Sequence, residues 1–143
     1  MFEELFSLAI LSELHLIHKS KYLDRLNFYF DNFSNNDLLL ELEFLFEDIN
    51  SAVNKIVNFT YDTFDFQQFG IILFNELEIS YYSNQYSIAE FASKMYLLWN
   101  LYLSESIQLE EPFWTLSYAD DCLAYGDEKQ TRALYEKTFQ YYK

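Results

Sequence analysis

Four consecutive residues, Tyr118-Ala119-Asp120-Asp121, have the Tyr-x-Asp-Asp spacing in which paired aspartates hold metal ions for nucleotidyl transfer. That chemistry works on a β-hairpin, whereas this motif lies between Pro112 and Gly126 in a segment that reads as helix. A chain of 143 residues is also short for such an enzyme, and its negative charge would repel a template. His15 and His18 stand three apart on what reads as the first helix, with Glu13 close by. Two imidazoles at that spacing can share a metal, but a complete site needs three or four ligands and the chain has no third histidine. The Glu-x-x-His pairs of di-iron bundles are missing, since no Glu stands three residues before either histidine. Cys122 follows two aspartates, which disfavour a thiolate. Gly70 is a lone helical glycine, so no Gly-rich loop cradles phosphate. No catalytic residue, metal or cofactor is expected, and the chain reads as a binding protein without enzymatic activity.

The acids form the remaining constellation. Between Leu26 and Glu128 there are eighteen Asp and Glu and only two bases, Lys55 and Lys94, so this interval carries −16 against −14 for the whole chain. Self-repulsion of that size opposes compaction and steers a cationic partner. The imbalance is sharpest from Met95 to Glu128, which contains no Lys or Arg. Its seven acids are Glu105, Glu110, Glu111, Asp120, Asp121, Asp127 and Glu128, interleaved with Trp114, Tyr118 and Tyr125. A charge run is ordinarily a solvated face. Acids against no base, beside aromatics able to anchor an interface, point instead to a docking surface for a basic protein. The expected contact residues are Glu110, Glu111, Trp114, Tyr118, Asp120, Asp121, Asp127 and Glu128. Nucleic acid is excluded as a partner, since phosphate contacts need a basic stripe, and anionic lipid would be repelled as well.

The elements that must position these residues read as helices. Two Gly and one Pro leave few sites for the tight turns of an all-β protein. Ser87-Ile88-Ala89-Glu90 is a capping box, followed by Ile88, Phe91, Ala92, Met95, Leu98, Trp99 and Tyr102 on one face. Gly126 suits the left-handed end of one helix, and Asp127 with Gln130 the start of the last. Pro112 suits the first turn of a helix over 112–124. Asn36 or Ser34 caps a long helix to about Asn58, and Asp65 with Gln68 opens another through Phe69, Leu73 and Leu77. The first helix presents Phe2, Leu5, Phe6, Ala9, Leu16 and Ile17, and residues 22–33 read as helix, with a short strand as the alternative. The expectation is an all-α fold, one compact domain over 1–143 of six or seven helices.

Composition agrees with a real core: 51% of residues are hydrophobic and 21% aromatic, far from a disordered chain. Surplus aromatics at the surface leave a homodimer open. One cysteine excludes an intramolecular disulfide and fits a reducing compartment. No apolar run is long enough to span a membrane, and Met1-Phe2-Glu3-Glu4 does not resemble a signal peptide, so a cytoplasmic protein is expected.

The stretch from Phe74-Asn75-Glu76-Leu77-Glu78-Ile79-Ser80 to Trp99 resembles the colicin D-type immunity proteins and related immunity proteins of contact-dependent growth inhibition systems. In these a helix end is followed by a small polar cap, an acid–Phe pair and an aromatic–x–x–Trp ending. The corresponding residues are Ser87, Glu90-Phe91 and Tyr96-Leu97-Leu98-Trp99. This chain departs from the pattern in the extra residues between Ser80 and Ser87 and in its longer N-terminal 60 residues. The resemblance implies a small helical protein that binds a toxic nuclease domain, a tRNase or other RNase, and occludes its active site. A ribonuclease needs a basic cleft, so an acidic inhibitor complements it, with association towards ~10⁸–10⁹ M⁻¹s⁻¹ at low salt. The alternative is an acidic adaptor, or a nucleic-acid-mimicking regulator of a basic host protein.

Overall fold

The structure is a computed structural model describing residues 1–143. It contains nine α-helices and one 3₁₀ helix, with no strand. The count exceeds six or seven because stretches that read as single helices are broken. The chain divides into two compact units, Met1–Leu73 and Phe74–Lys143, with the division falling inside α5 (Phe66–Tyr82). No helix is long and apolar enough to cross a membrane.

The first unit holds α1 (Phe2–Glu13), α2 (Lys19–Asn32), α3 (Asp37–Phe44), α4 (Ile49–Thr60) and the start of α5. Every residue of α1 from Leu5 to Ser12 is buried, so this helix is covered on all sides, with α2 and α4 among its neighbours. It stops at Glu13, short of Leu16 and Ile17. His15 takes the left-handed conformation (φ 58°), and the Leu16 N–H closes back on the Leu11 carbonyl at 2.9 Å. His18 begins the next helix, its Nδ1 accepting the Ser20 N–H at 3.1 Å. The two histidines therefore terminate and initiate helices and do not share a helical face, which corrects the expectation drawn from their spacing.

Residues 22–32 are helical and Phe33 is the C-cap, with Tyr22 and Leu26 fully buried along α2. Arg25 fastens α2 to α1: its Nε donates to Glu4 Oε1 at 2.8 Å, and the Tyr29 hydroxyl donates to the same oxygen at 2.8 Å. The long helix expected from Asn36 to Asn58 is two helices. Asn36 caps the first through the Leu39 N–H, and Asp48 restarts the chain by accepting the Ser51 N–H at 3.1 Å and the Ser51 hydroxyl at 2.6 Å. An aspartate about three turns into an apolar pattern reads as a solvated helical acid, yet its short side chain competes better as a cap.

The second unit holds the rest of α5, α6 (Ile88–Tyr102), α7 (Glu105–Gln108), α8 (Thr115–Tyr118), the 3₁₀ helix (Ala119–Tyr125) and α9 (Glu128–Thr138). Ser87 caps α6 through the Glu90 N–H at 3.1 Å. Its buried face puts Phe91 edge-on to Tyr81 and Tyr135, with centroids 5.3 and 5.2 Å apart. Trp99 Nε1 donates to the Gln108 carbonyl at 2.9 Å, and Gln108 Nε2 donates to the Trp99 carbonyl at 3.0 Å, tying α7 to the end of α6. The helix expected over 112–124 is not continuous. Pro112 lies in a turn after a cis peptide bond, α8 runs for one turn, and the remainder winds as 3₁₀ helix. Gly126 (φ 77°) then closes the segment: the Asp127 N–H bonds to the Cys122 carbonyl and the Gly126 N–H to that of Leu123, at 2.9 and 3.0 Å.

Candidate functional site

The eight residues singled out by sequence lie on consecutive elements of the second unit, from the turn after α7 to the first residue of α9. The 3₁₀ helix packs against α6, α8 and α9, and these helices fix the backbone of the acidic segment. Trp114 and Tyr118, one helical turn apart at α8, meet edge-on with centroids 5.5 Å apart, and the indole is 46% exposed. The fold holds this pair together at the surface.

The six acids divide by what holds them. Glu111 accepts the hydroxyl of buried Thr115 at 2.9 Å. Asp127 caps α9, accepting the Gln130 N–H at 3.0 Å. Glu128 Oε1 accepts from both Nε and Nη2 of Arg132, at 3.1 and 2.9 Å. These three serve local structure. Glu110, Asp120 and Asp121 form no ion pair within the chain. Glu110 and Asp121 are exposed, while Asp120 is half-buried and its Oδ1 is sealed from solvent with no hydrogen-bond partner. Burial pushes the Asp120 carboxyl above the ordinary carboxylate range; the Asp121 charge pushes the same way, and only its own backbone N–H opposes them.

The Tyr-x-Asp-Asp run is helical throughout, its tyrosine ending α8 and both aspartates on the 3₁₀ helix. Its Ala119 is fully buried, the carbonyl accepting the Thr131 hydroxyl at 2.6 Å. Adjacent residues on a 3₁₀ helix diverge by a third of a turn, and Asp120 and Asp121 differ in burial accordingly. No group of three or more His, Cys, Asp and Glu is placed to hold a metal ion. Cys122, the single cysteine, is half-buried on the same turn.

Sequence reasoning missed the surface opposite Asp120. On α6, Ala89, Ala92, Ser93, Tyr96 and Leu97 recur at i, i+3, i+4, i+7 and i+8, and with Asp120 and Leu123 they line an open groove of about 300 Å³. The available signal was the run of small residues at 89, 92 and 93, which leaves room beside α6. Ala92 lies on the expected core face and is buried; what it borders depends on the third dimension. No protein-family model, no curated protein and no solved structure matches this chain.

Proposed function

We propose that this chain is an immunity protein that binds a basic nuclease toxin domain, a tRNase or other RNase, and neutralises it by stoichiometric occlusion in the cytoplasm. The observation that carries the reading is the stretch from Met95 to Glu128: seven acids, no base, and among them Glu110, Asp120 and Asp121 without a counter-ion beside the Trp114–Tyr118 pair. Carboxylates left unpaired oppose folding through self-repulsion, so their retention favours an external cation. The aromatic pair supplies the desolvated anchor that such interfaces require. The partial resemblance of residues 74–99 to colicin D-type immunity proteins is an independent support. Glu111, Asp127 and Glu128 contribute field rather than direct contacts, because each is engaged locally.

The test is co-expression with the C-terminal domain of the protein encoded immediately upstream. Restored growth and a co-purifying one-to-one complex are the expected result. A domain that kills with or without this chain would sink the immunity reading for that pair.

A further inference from the structure

We propose that the groove between α6 and the 3₁₀ helix is a socket for one arginine side chain of the protein's partner, with Asp120 as the anion that receives the guanidinium. This deepens the proposed function and rests on it only in taking the partner to be basic.

Shape comes first. Small side chains at Ala89, Ala92 and Ser93 open a trough along α6, and Tyr96, Leu97 and Leu123 supply apolar walls. A volume of about 300 Å³ is at the lower limit of pockets that bury free small molecules. The groove is also open to solvent. A groove of that size, open to solvent, suits a single long side chain.

Charge comes second. Asp120 is the only ionisable acid or base lining the groove apart from the Tyr96 phenol. Its Oδ1 is sealed from solvent, which leaves contact to the other carboxylate oxygen, and burial has removed part of the water that would stabilise the charge. A cation entering the groove restores what burial removed. The chain provides none: Lys94 lies over the Tyr86 ring at 5.2 Å, and Arg132 is held by Glu128 and the Tyr81 hydroxyl.

Arginine matches better than lysine for two reasons. Its planar fork can direct two N–H groups at one carboxylate oxygen, as Arg132 does at Glu128 Oε1, and its weakly hydrated face stacks on an aromatic ring such as Tyr96. Its methylene stem covers apolar wall while the head stays polar.

The probe is Nα-acetyl-arginine amide, titrated into the full-length chain while backbone amide shifts are followed by NMR, with the norleucine amide as the uncharged comparator. Saturable shifts are expected at Ala89, Ser93, Tyr96, Leu97 and Leu123, with none from norleucine. Asp120→Asn should weaken the arginine probe about tenfold, the scale of a lost charge-assisted hydrogen bond. Asp62→Asn, which removes an exposed acid of the first unit, should leave it within about twofold. Ser93→Trp fills the groove from an exposed position and should abolish the shifts, giving a second route should Asp120→Asn fail to fold. Shifts spread evenly over acidic segments, equal losses in Asp120→Asn and Asp62→Asn, or no saturable shift would each overturn the socket. Growth rescue uses no probe, so failed rescue with an intact titration sinks immunity alone, and the converse sinks the socket alone.

Discussion

Asp48 in the first unit caps a helix and Asp120 in the second lies on one, and their surroundings treat them in opposite ways. Ser51 gives Asp48 a hydroxyl and a backbone N–H, and these donors hold its carboxyl below the ordinary range. Asp120 receives no side-chain donor, and burial moves its carboxyl up. Gross charge does not make this distinction. The first unit has twelve acids against four bases and the second eleven against five, so net charge alone favours the first. Exposed aromatics do not make it either, since Phe44 and Tyr61 are 79% and 81% exposed in the first unit. The first unit also has an uncompensated acid, since burial and then the Asp31 charge push the Glu43 carboxyl up with no donor opposing them. What separates the second unit is that its uncompensated acid, Asp120, lines a groove. An arrangement that costs stability is the expected mark of a surface kept for a partner.

The largest effect that bears on this contrast is on the support of the groove. Phe91→Ala removes the ring that packs behind α6 and should destabilise the protein by about 3–5 kcal/mol. Leu39→Ala, its counterpart in the first unit, should cost about 2–5 kcal/mol, both read by urea denaturation. Only the Phe91 variant should also blur amide shifts around Ala89 and Ser93; equal blurring in both would erase the distinction between the units. Next comes charge reversal. Asp120→Lys with Asp121→Lys should weaken binding of the proposed toxin partner about tenfold to a hundredfold and flatten its salt dependence, measured by stopped-flow association. Glu47→Lys with Asp62→Lys makes the same change in charge on the first unit and should alter binding less than about threefold. The reverse order would move the site to the first unit.

Smaller effects concern the backbone that presents the acids. Gly126→Ala meets no atom within 4 Å, so its cost is the left-handed conformation alone, about 1 kcal/mol. Asn36→Ala should cost about the same through its lost cap. Thermal melts check both, and only the Gly126 variant should weaken binding, because it loosens the end of the 3₁₀ helix. The smallest effect is a difference of sign with pH. A carboxylate whose pKa rises on folding contributes stability at low pH that is lost as pH climbs through the folded pKa, so Asp120→Asn should be more stable than wild type at neutral pH. That gain should vanish as pH falls through the ordinary carboxylate range. Asp48 is the opposite case: Asp48→Ala should be less stable at neutral pH, with the deficit closing in acid. Denaturation profiles of the two variants that run parallel would remove the contrast.

Much of the helical content was legible because caps and periodicity agreed. Ser87, Asp65 and Asp127 each begin the helix their chemistry announced, and Tyr22 and Leu26 mark the buried face of α2. The breaks were less visible. Leu14 to His18 continue the apolar spacing of α1, and nothing in a histidine advertises a left-handed turn. At Asp48 a capping aspartate occupies a position that an exposed helical acid would fill equally well. Over 119–125 the α and 3₁₀ windings share nearly the same pattern of apolar residues, so periodicity does not tell them apart. The acidic segment itself was legible as a charge run. Which of its acids are engaged was legible only in part. Asp127 announced its cap, and Glu128 with Arg132 has the i, i+4 spacing of a helical ion pair. Glu111, which meets Thr115, sits in a turn that lay outside the expected 112–124 helix. The groove depended on α6 and the 3₁₀ helix lying side by side, which no local pattern specifies.

Cys122 gives this geometry a practical use. The chain contains one sulfhydryl, and it sits half-buried two residues from Asp120 on the same 3₁₀ helix. A thiol-directed dye added to unmodified protein would therefore report from a single known position near the groove, without an engineered residue or the removal of competing cysteines. Slowed labelling on addition of a partner would mark that face as covered, and an unchanged labelling rate would direct attention to another face.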